Sequence, residues 1–482
     1  MFSIDPDRQT GPWQTRVHFG PDGAFAYRPS EVLVGSEVAD LAHEILSRWA
    51  EQATEDHGSV PLYRDEDLVA GSFVRFTGSF EAQDALEQLH DRGVLGQVNH
   101  VLFANTCCPP HPSDPCAESY YANPFYANPF YANPFYANPF YANPFYANPF
   151  YANAGSRCGC GCCGGAGANP FYANPFYANP FYANANPSPF TDSSSQHTGG
   201  RSSSARPADA PVKANQASVQ GVRVAILDTG WAKAAYTPNG LPGISVTPHG
   251  GDLPDEDGDG FLDPAAGHGT FIAGIIEQLT PGCDIELIEV LSTYGDGDEV
   301  EIANVLHTLS QRAEEDRPHI VNLSFGGYSP LGMAALAKAI SALHEAGSVV
   351  VASAGNDATC YPLYPAALPD VVGVAALDEN GDAATFTNYG PWVSACAPGA
   401  NIVSLFFEGF NGAGPRENNY DPDDFKGWAR WSGTSFSAPA VVAALARVVA
   451  GGTAPHSALA QLIEDVQLVR KPMLGTVVDP TI

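Results

Sequence analysis

Basic residues are scarce in this chain. Lys and Arg number 22 against 53 Asp and Glu, a formal net charge of −31 over 482 residues, and the few cations form no cluster. Phosphate backbones and anionic membrane surfaces are held by grouped Lys and Arg, so nucleic acid and lipid headgroups are excluded as expected partners. No stretch approaches the roughly 18 uninterrupted apolar residues of a membrane-crossing helix, so no membrane span is expected. The opening MFSIDPDRQTGPW lacks the basic and apolar parts of a secretory leader, which makes cytoplasmic residence the default expectation, with export by an unrecognised route left open. Charge is missing altogether from a long middle stretch: between Tyr120 and Phe190 only Arg157 is ionised.

What is present divides the chain in three. Hydrophobic residues make up 44% and charged residues 16%, a globular balance, and the length calls for two or three domains. Residues 31–103 alternate strand and helix signals: EVLV, a helix with Val38, Leu41, Ile45 and Leu46 on one face, SFVRF, a second helix with Leu86 and Leu89, then VNHVLF. This predicts a small α+β domain within residues 1–106. Residues 107–217 collapse to Pro, Gly, Ser and Asn with an invariant aromatic repeat, YANPF, recurring over 121–153 and 168–184; by composition this is a disordered linker. From residue 218 to 482 the reading is α/β. VRVAIL, CDIELIEVL, HIVNLSF, SVVVASAG and DVVGVAAL are near-continuous apolar runs separated by helical patterns at 267–279, 300–313 and 333–346. Such runs predict a parallel sheet covered on both faces, three layers in all, with its chemistry at the carboxyl ends of the strands.

Three phrases fall at those strand ends or helix starts. AILDTG sets Asp228 directly after a strand, GHGTFIAG opens a helix with His268, and SGTSFSAP opens another with Ser435. Taken singly, each has an ordinary structural reading as a turn, a packed histidine or an N-cap. Together they supply a carboxylate, a base and a nucleophile. A serine hydroxyl attacks a carbonyl only when an imidazole takes its proton, and the imidazolium needs an anion to orient and stabilise it. A fourth phrase, SVVVASAGN, ends a strand on Asn356, whose amide could donate to a developing oxyanion beside the Ser435 backbone N–H.

DTG, GHGT, SAGN and GTSFSAP stand in one order, Asp then His then Ser, and residues from about 220 to 450 resemble the catalytic domain of the subtilisin-like serine peptidases. The resemblance implies Asp228, His268 and Ser435 as a triad, Asn356 as oxyanion donor, and a protein or peptide substrate, with no cofactor required for the chemistry. NLSFGG resembles the family's substrate strand, in which Ser324, Phe325 and Gly326 would pair with an extended peptide, and GPWVSACAPG resembles a later family segment. Phe436 departs from the Met that often follows the nucleophile. The 1–106 domain resembles the ferredoxin-like propeptide of secreted subtilases, an intramolecular partner that plugs the cleft; the alternative is an unrelated α+β adaptor.

Two further features stay open at this level. In DEDGDGFLD, Asp255, Asp257, Asp259 and Asp263 match ligand positions of a calcium loop, yet Ala266 occupies the twelfth position where a bidentate Glu belongs; the choices are calcium or a solvated acidic loop. Of ten cysteines, seven lie between Cys107 and Cys163, four of them in SRCGCGCCGG at 156–165. That run reads as unmodified linker, a soft-metal clip or a modified peptide. The last two readings carry a competing function: a maturation peptidase fused to its own precursor or metal-binding segment. Cys283, Cys360 and Cys396 are expected as buried thiols, with a disulfide pair as the alternative. The repeats read either as a spacer or as copies of the propeptide tail, since LFAN at 102–105 and FYAN in each unit share their order.

Overall fold

The computed structural model describes residues 18–19, 25–53, 62–69, 71–78, 80–104, 205–211, 218–233, 246–258, 260–329, 332–411, 424–464 and 467–480. The Cys-rich run, the YANPF units and Asp259 lie outside them.

The five apolar runs form adjacent members of one nine-stranded sheet. Its order is Arg470–Lys471, Gly475–Val477, Ala395–Pro398, Val371–Leu377, Val349–Ser353, Ile320–Leu323, Arg223–Asp228, Asp284–Glu289, Val246–His249. Every neighbouring pair is parallel except the outermost, Arg470–Lys471 with Gly475–Val477. Side-chain alternation explains why these runs carry no polar face. In strand Arg223–Asp228, Val224 and Ile226 enter one core, with Phe271 and Ile275 of helix His268–Leu279 and Val441 and Leu445 of helix Thr434–Ala450. Ala225 and Leu227 enter the other, with Val300 and Leu306 of helix Glu299–Ser310 and Leu336 and Leu343 of helix Ala334–Glu345. Arg223–Asp228 is therefore covered on both faces, giving an α/β arrangement of helix, sheet and helix.

A second sheet is mixed in origin. Its path runs Asp296–Asp298, Gly96–Ala104, Ala26–Gly35, Phe73–Thr77, Tyr63–Leu68, all antiparallel, with Phe325–Gly326 also paired to Gly96–Ala104. Two of its strands thus come from the C-terminal half. On one face Val32, Val34, Val74 and Phe76 pack under helices Ala39–Ala53 and Ala82–His90. On the other, Leu33 and Leu102 join the core around Leu306 and Leu336. One sequence expectation is corrected here: Leu41 does not face that core but is 48% exposed, because the buried stripe runs through Ala39, Ala42, Ile45 and Leu46 and Leu41 falls about 100° off Ala42.

Within the stretch that composition reads as linker, Arg206–Pro207 pairs antiparallel with Lys426–Trp431, itself paired with Ile402–Glu408, and Ala205 is buried. Cys283 and Cys396 are buried free thiols, pushed up to about 11 and about 12 by burial, whereas Cys360 is half-buried; none of the three forms a disulfide. Among the described residues no single helix is long and apolar enough to cross a membrane.

Candidate active site

Asp228 closes its strand at the carboxyl edge of the parallel sheet and is fully buried. Its Oδ1 accepts from Thr229 N at 2.9 Å and pairs with His268 Nδ1 at 2.7 Å. His268 is the first residue of its helix, where Gly267 caps with φ +78°, and a Cβ at 267 would lie 2.4 Å from the Phe406 ring. A Cβ on Gly269 would come within 2.6 Å of Gly230 O. The glycines on both sides of His268 therefore bring the imidazole hard against the strand end. Trp431 stands edge-on to the ring at 5.6 Å and 83°, and Phe436 tilts against it at 5.5 Å. With these walls the ring cannot turn, and His268 Nε2 is buried with no hydrogen-bond partner among the described residues.

Ser435 is the second residue of the long buried helix Thr434–Ala450. Its Oγ donates to Ser324 O at 2.9 Å, and Ser324 Oγ donates to Ser435 O at 2.8 Å, a reciprocal clasp that ties the helix start to the NLSFGG segment. Asn322 Nδ2 in turn donates to Ser324 Oγ at 2.9 Å. The hydroxyl is thus parked on Ser324, while Nε2 of His268 has no partner among the described residues. Asn356 Oδ1 accepts from Thr434 N at 2.9 Å and Thr434 Oγ1 at 3.0 Å. Because an amide N–H can only donate, the oxygen must face Thr434, and this leaves Asn356 Nδ2 as a buried donor without a partner among the described residues.

Alongside lies the segment Ser324, Phe325 and Gly326. Phe325 pairs with Ala104 and Gly326 with Phe103 in antiparallel register. The far side of the same strand is held by Asp296, Gly297 and Asp298, opposite Phe103, Leu102 and Val101, and Ala104 N donates to Gly295 O at 2.8 Å. The strand Gly96–Ala104 is therefore clasped between two short strands. Charged groups surround it: Arg28 lies 3.3 Å from Asp296 and 3.6 Å from Asp298, and His100 Nδ1 meets Glu299 Oε2 at 2.7 Å with both side chains buried. Glu299 also accepts from Gln97 Nε2 at 3.0 Å and from Ala335 N at 2.9 Å, at the start of the next helix.

Sequence reasoning missed the 295–298 side of this clasp, which has no motif beyond its glycines, and it missed Asp252. That carboxyl is fully buried, and its Oδ2 accepts from Thr229 Oγ1 at 2.6 Å and from Gly267 N at 2.8 Å, so it braces the residues flanking both Asp228 and His268. Burial, opposed by those two hydrogen bonds, raises its pKa well above the usual carboxylate range.

In the acidic loop, Asp255, Asp257 and Asp263 present oxygens within 4.8 Å of one another. That is about twice a Ca–O bond of roughly 2.4 Å, so the three can share an ion. Asp255 already accepts from Gly258 N and Gly260 N, at 2.8 and 2.9 Å, and Asp263 Oδ2 from Glu256 N and Thr293 Oγ1, at 2.9 and 2.7 Å. A carboxylate has lone pairs enough for both duties, and the set fits a weak calcium site completed by water.

The Subtilase family model matches residues 219–465, and the chain belongs to that family. A thermostable alkaline protease of Halalkalibacterium halodurans is 33% identical over 197 residues, 39% of this chain and 50% of that protein. Thermitase of Thermoactinomyces vulgaris is 32% identical over 209 residues, 41% of this chain and 70% of thermitase. The chain thus spans half the length of the first relative and more of the second. Among solved structures, one titled as proteases from Pseudoalteromonas arctica PAMC 21717 aligns with a TM-score of 0.43 at 21% identity, over 54% of this chain and 88% of that one.

Proposed function

We propose that the chain is a serine endopeptidase in which Asp228, His268 and Ser435 form the triad and Asn356 donates to the oxyanion. The observation that carries this reading is the buried 2.7 Å pair between Asp228 and His268, with Nε2 unpaired and the ring walled in by Trp431 and Phe436. Ser435 Oγ attacks the substrate carbonyl carbon as its proton passes to His268 Nε2, and Asp228 stabilises the imidazolium. The carbonyl oxygen takes up the charge, and Asn356 Nδ2 with the Ser435 backbone N–H supplies the donors. His268 returns the proton to the departing amine. Water then repeats the sequence on the acyl-enzyme and releases the acid.

The N-terminal module is the intramolecular inhibitor in this reading. Gly96–Ala104 occupies the two-sided clasp as a product would, beside Ser324, on whose carbonyl Ser435 Oγ rests. No cofactor enters the chemistry, and calcium at Asp255, Asp257 and Asp263 would act on stability alone. A serine-directed fluorophosphonate tests the reading: a mass adduct on the Ser435 peptide is expected, slow in the intact chain and faster once residues 1–105 have been removed. A chain that never labels, under conditions where it remains folded, would overturn it.

A further inference from the structure

The clasp has a register, and the register reads a tetrapeptide. Leu102 is fully buried in the same cluster as Leu291, Phe325 and Met333, so its place takes a large apolar side chain. Phe103 is only partly buried and packs on Val101 and Ala26 of its own module. A Cβ on Gly295 would lie 3.2 Å from Ala104 Cβ, so the next place takes a small residue. The described register ends at Phe325 and Ala104, and the residue before Phe325 is Ser324, whose carbonyl holds Ser435 Oγ at 2.9 Å, so a ligand is cut just past its small residue. In sequence Asn105 follows Ala104, and the bond after it is Asn105–Thr106. The clasp thus asks for a large apolar residue and, two places on, a small one, which LFAN meets with Leu102 and Ala104.

The chain carries the same order nine more times as FYAN, six copies ending at Asn128 to Asn153 and three at Asn174, Asn179 and Asn184. The copies differ in the residue after the Asn. Seven continue with Pro, whereas the last copy of each block continues with Ala, at Ala154 and Ala185. Proline acts on this reaction at the leaving nitrogen. Its ring carbon stands where an ordinary amide carries hydrogen, crowding the atom to which His268 must deliver the proton. The same ring biases the preceding residue toward extended backbone, the shape a strand in the clasp needs.

We infer that the cleft recognises LFAN and FYAN alike, that the seven Asn–Pro copies are tethered ligands resistant to cutting, and that Asn153–Ala154 and Asn184–Ala185 are autoprocessing sites. This rests on the peptidase reading of the triad. At each site Ser435 Oγ bonds to the Asn carbonyl carbon and the C–N bond breaks. The Ala nitrogen leaves as an amine carrying the proton from His268, and water hydrolyses the Asn ester. Residues 154–184 are excised, carrying Cys158, Cys160, Cys162 and Cys163 away from the peptidase. The Asn–Pro copies of the first block remain on the N-terminal piece, and covalent linkage raises the local concentration of such ligands, roughly to millimolar for a short linker.

The test uses the full chain, monitored by intact mass and N-terminal sequencing, beside digestion of casein by the same sample. New N-termini at Ala154 and Ala185 are expected, none at the repeat prolines, and neither in Ser435→Ala. Ala154→Pro should abolish the first cut alone, and Pro149→Ala should create a new terminus at residue 149. Cutting at Asn–Pro bonds as fast as at Asn–Ala, or Ala154 termini persisting in Ser435→Ala, would overturn the inference. Casein digestion without either Asn–Ala cut would overturn it while leaving the peptidase reading intact; a chain inert toward casein, its own repeats and fluorophosphonate would remove both.

Discussion

Strand Arg223–Asp228 of the parallel sheet and strand Gly96–Ala104 of the mixed sheet are both flanked on either side by hydrogen-bonded neighbours, yet they are held by different physics. The first is covered by aliphatic side chains on both faces, and its one buried charge, Asp228, sits at the end. The second carries Gln97, Asn99 and His100 along its length, each bonded to Glu299, to Val300 N or to Glu31, with Arg28 reaching Asp296 and Asp298 beside it. Apolar burial is tolerant of small displacements and polar pairing is not. A strand fixed by buried polar pairs has one acceptable register, and breaking any pair leaves a charge without compensation. The parallel sheet is accordingly a scaffold held by apolar burial, and the clasp a fitting held by specific polar pairs.

Four substitutions would break or sharpen that contrast. The largest effect is expected from Ser435→Ala, which removes chemistry at the scaffold's edge and leaves the clasp intact: peptide hydrolysis should fall on the order of 10⁶-fold. The thermal midpoint should stay within a degree or two, and retention of activity would place the nucleophile elsewhere. Asn356→Ala removes a donor whose partner forms only during reaction, so turnover should drop about 10²–10³-fold with KM nearly unchanged. A rise in KM alone would make Asn356 a ground-state contact.

His100→Ala addresses the clasp alone. It deprives buried Glu299 of one charge-assisted bond, worth about 1.5–3 kcal/mol, so fluorophosphonate labelling of the intact chain should speed up roughly 10–100-fold. Hydrogen exchange should rise across Gly96–Ala104 and not across Arg223–Asp228. Equal exchange increases in both strands would mean that the two sheets open as one unit, with no separate scaffold and fitting.

The parallel sheet was legible because burial on both faces leaves runs such as SVVVASAG with no polar alternation, and the candidate site residues were picked out because DTG, GHGT, SAGN and GTSFSAP stand in one order at strand ends and helix starts. The clasp was not. Asp296, Asp298 and Glu299 belong to no motif, and their partners Arg28 and His100 lie some two hundred or more residues earlier. Asp252 was invisible for the same reason, since its partners Thr229 and Gly267 lie in other segments. Leu41 was misread because amphipathic spacing fixes a stripe only to within a neighbouring residue. Asp255, Asp257 and Asp263 do gather as their spacing predicted.

That acidic loop, attached to the scaffold side through Thr293, offers the smallest expected effect. Burial pushes Asp263 up to about 7, with hydrogen bonds from Glu256 N and Thr293 acting against it and the charges of Asp257 and Asp255 adding to it. A carboxyl whose folded pKa is raised binds its proton more tightly when folded. Its contribution is therefore fully present below about 4 and is lost as pH rises through about 7. Asp263→Asn, permanently neutral and still able to accept from Thr293, should flatten this slope: about 1–2 kcal/mol more stable than the parent at pH 8 without calcium, and equal to it near pH 4, with each kcal/mol worth about 2–4 °C in the midpoint. Calcium opposes the same trend, because an ion bound only by the folded chain stabilises it by mass action and prefers the ionised loop. Titrating calcium at pH 8 should then raise the parent's midpoint by a few degrees and the Asp263→Asn midpoint by much less. Equal shifts in the two proteins would place the ion outside this loop, and a parent whose stability is flat between pH 5 and 8 would show that Asp263 is ionised in the fold throughout.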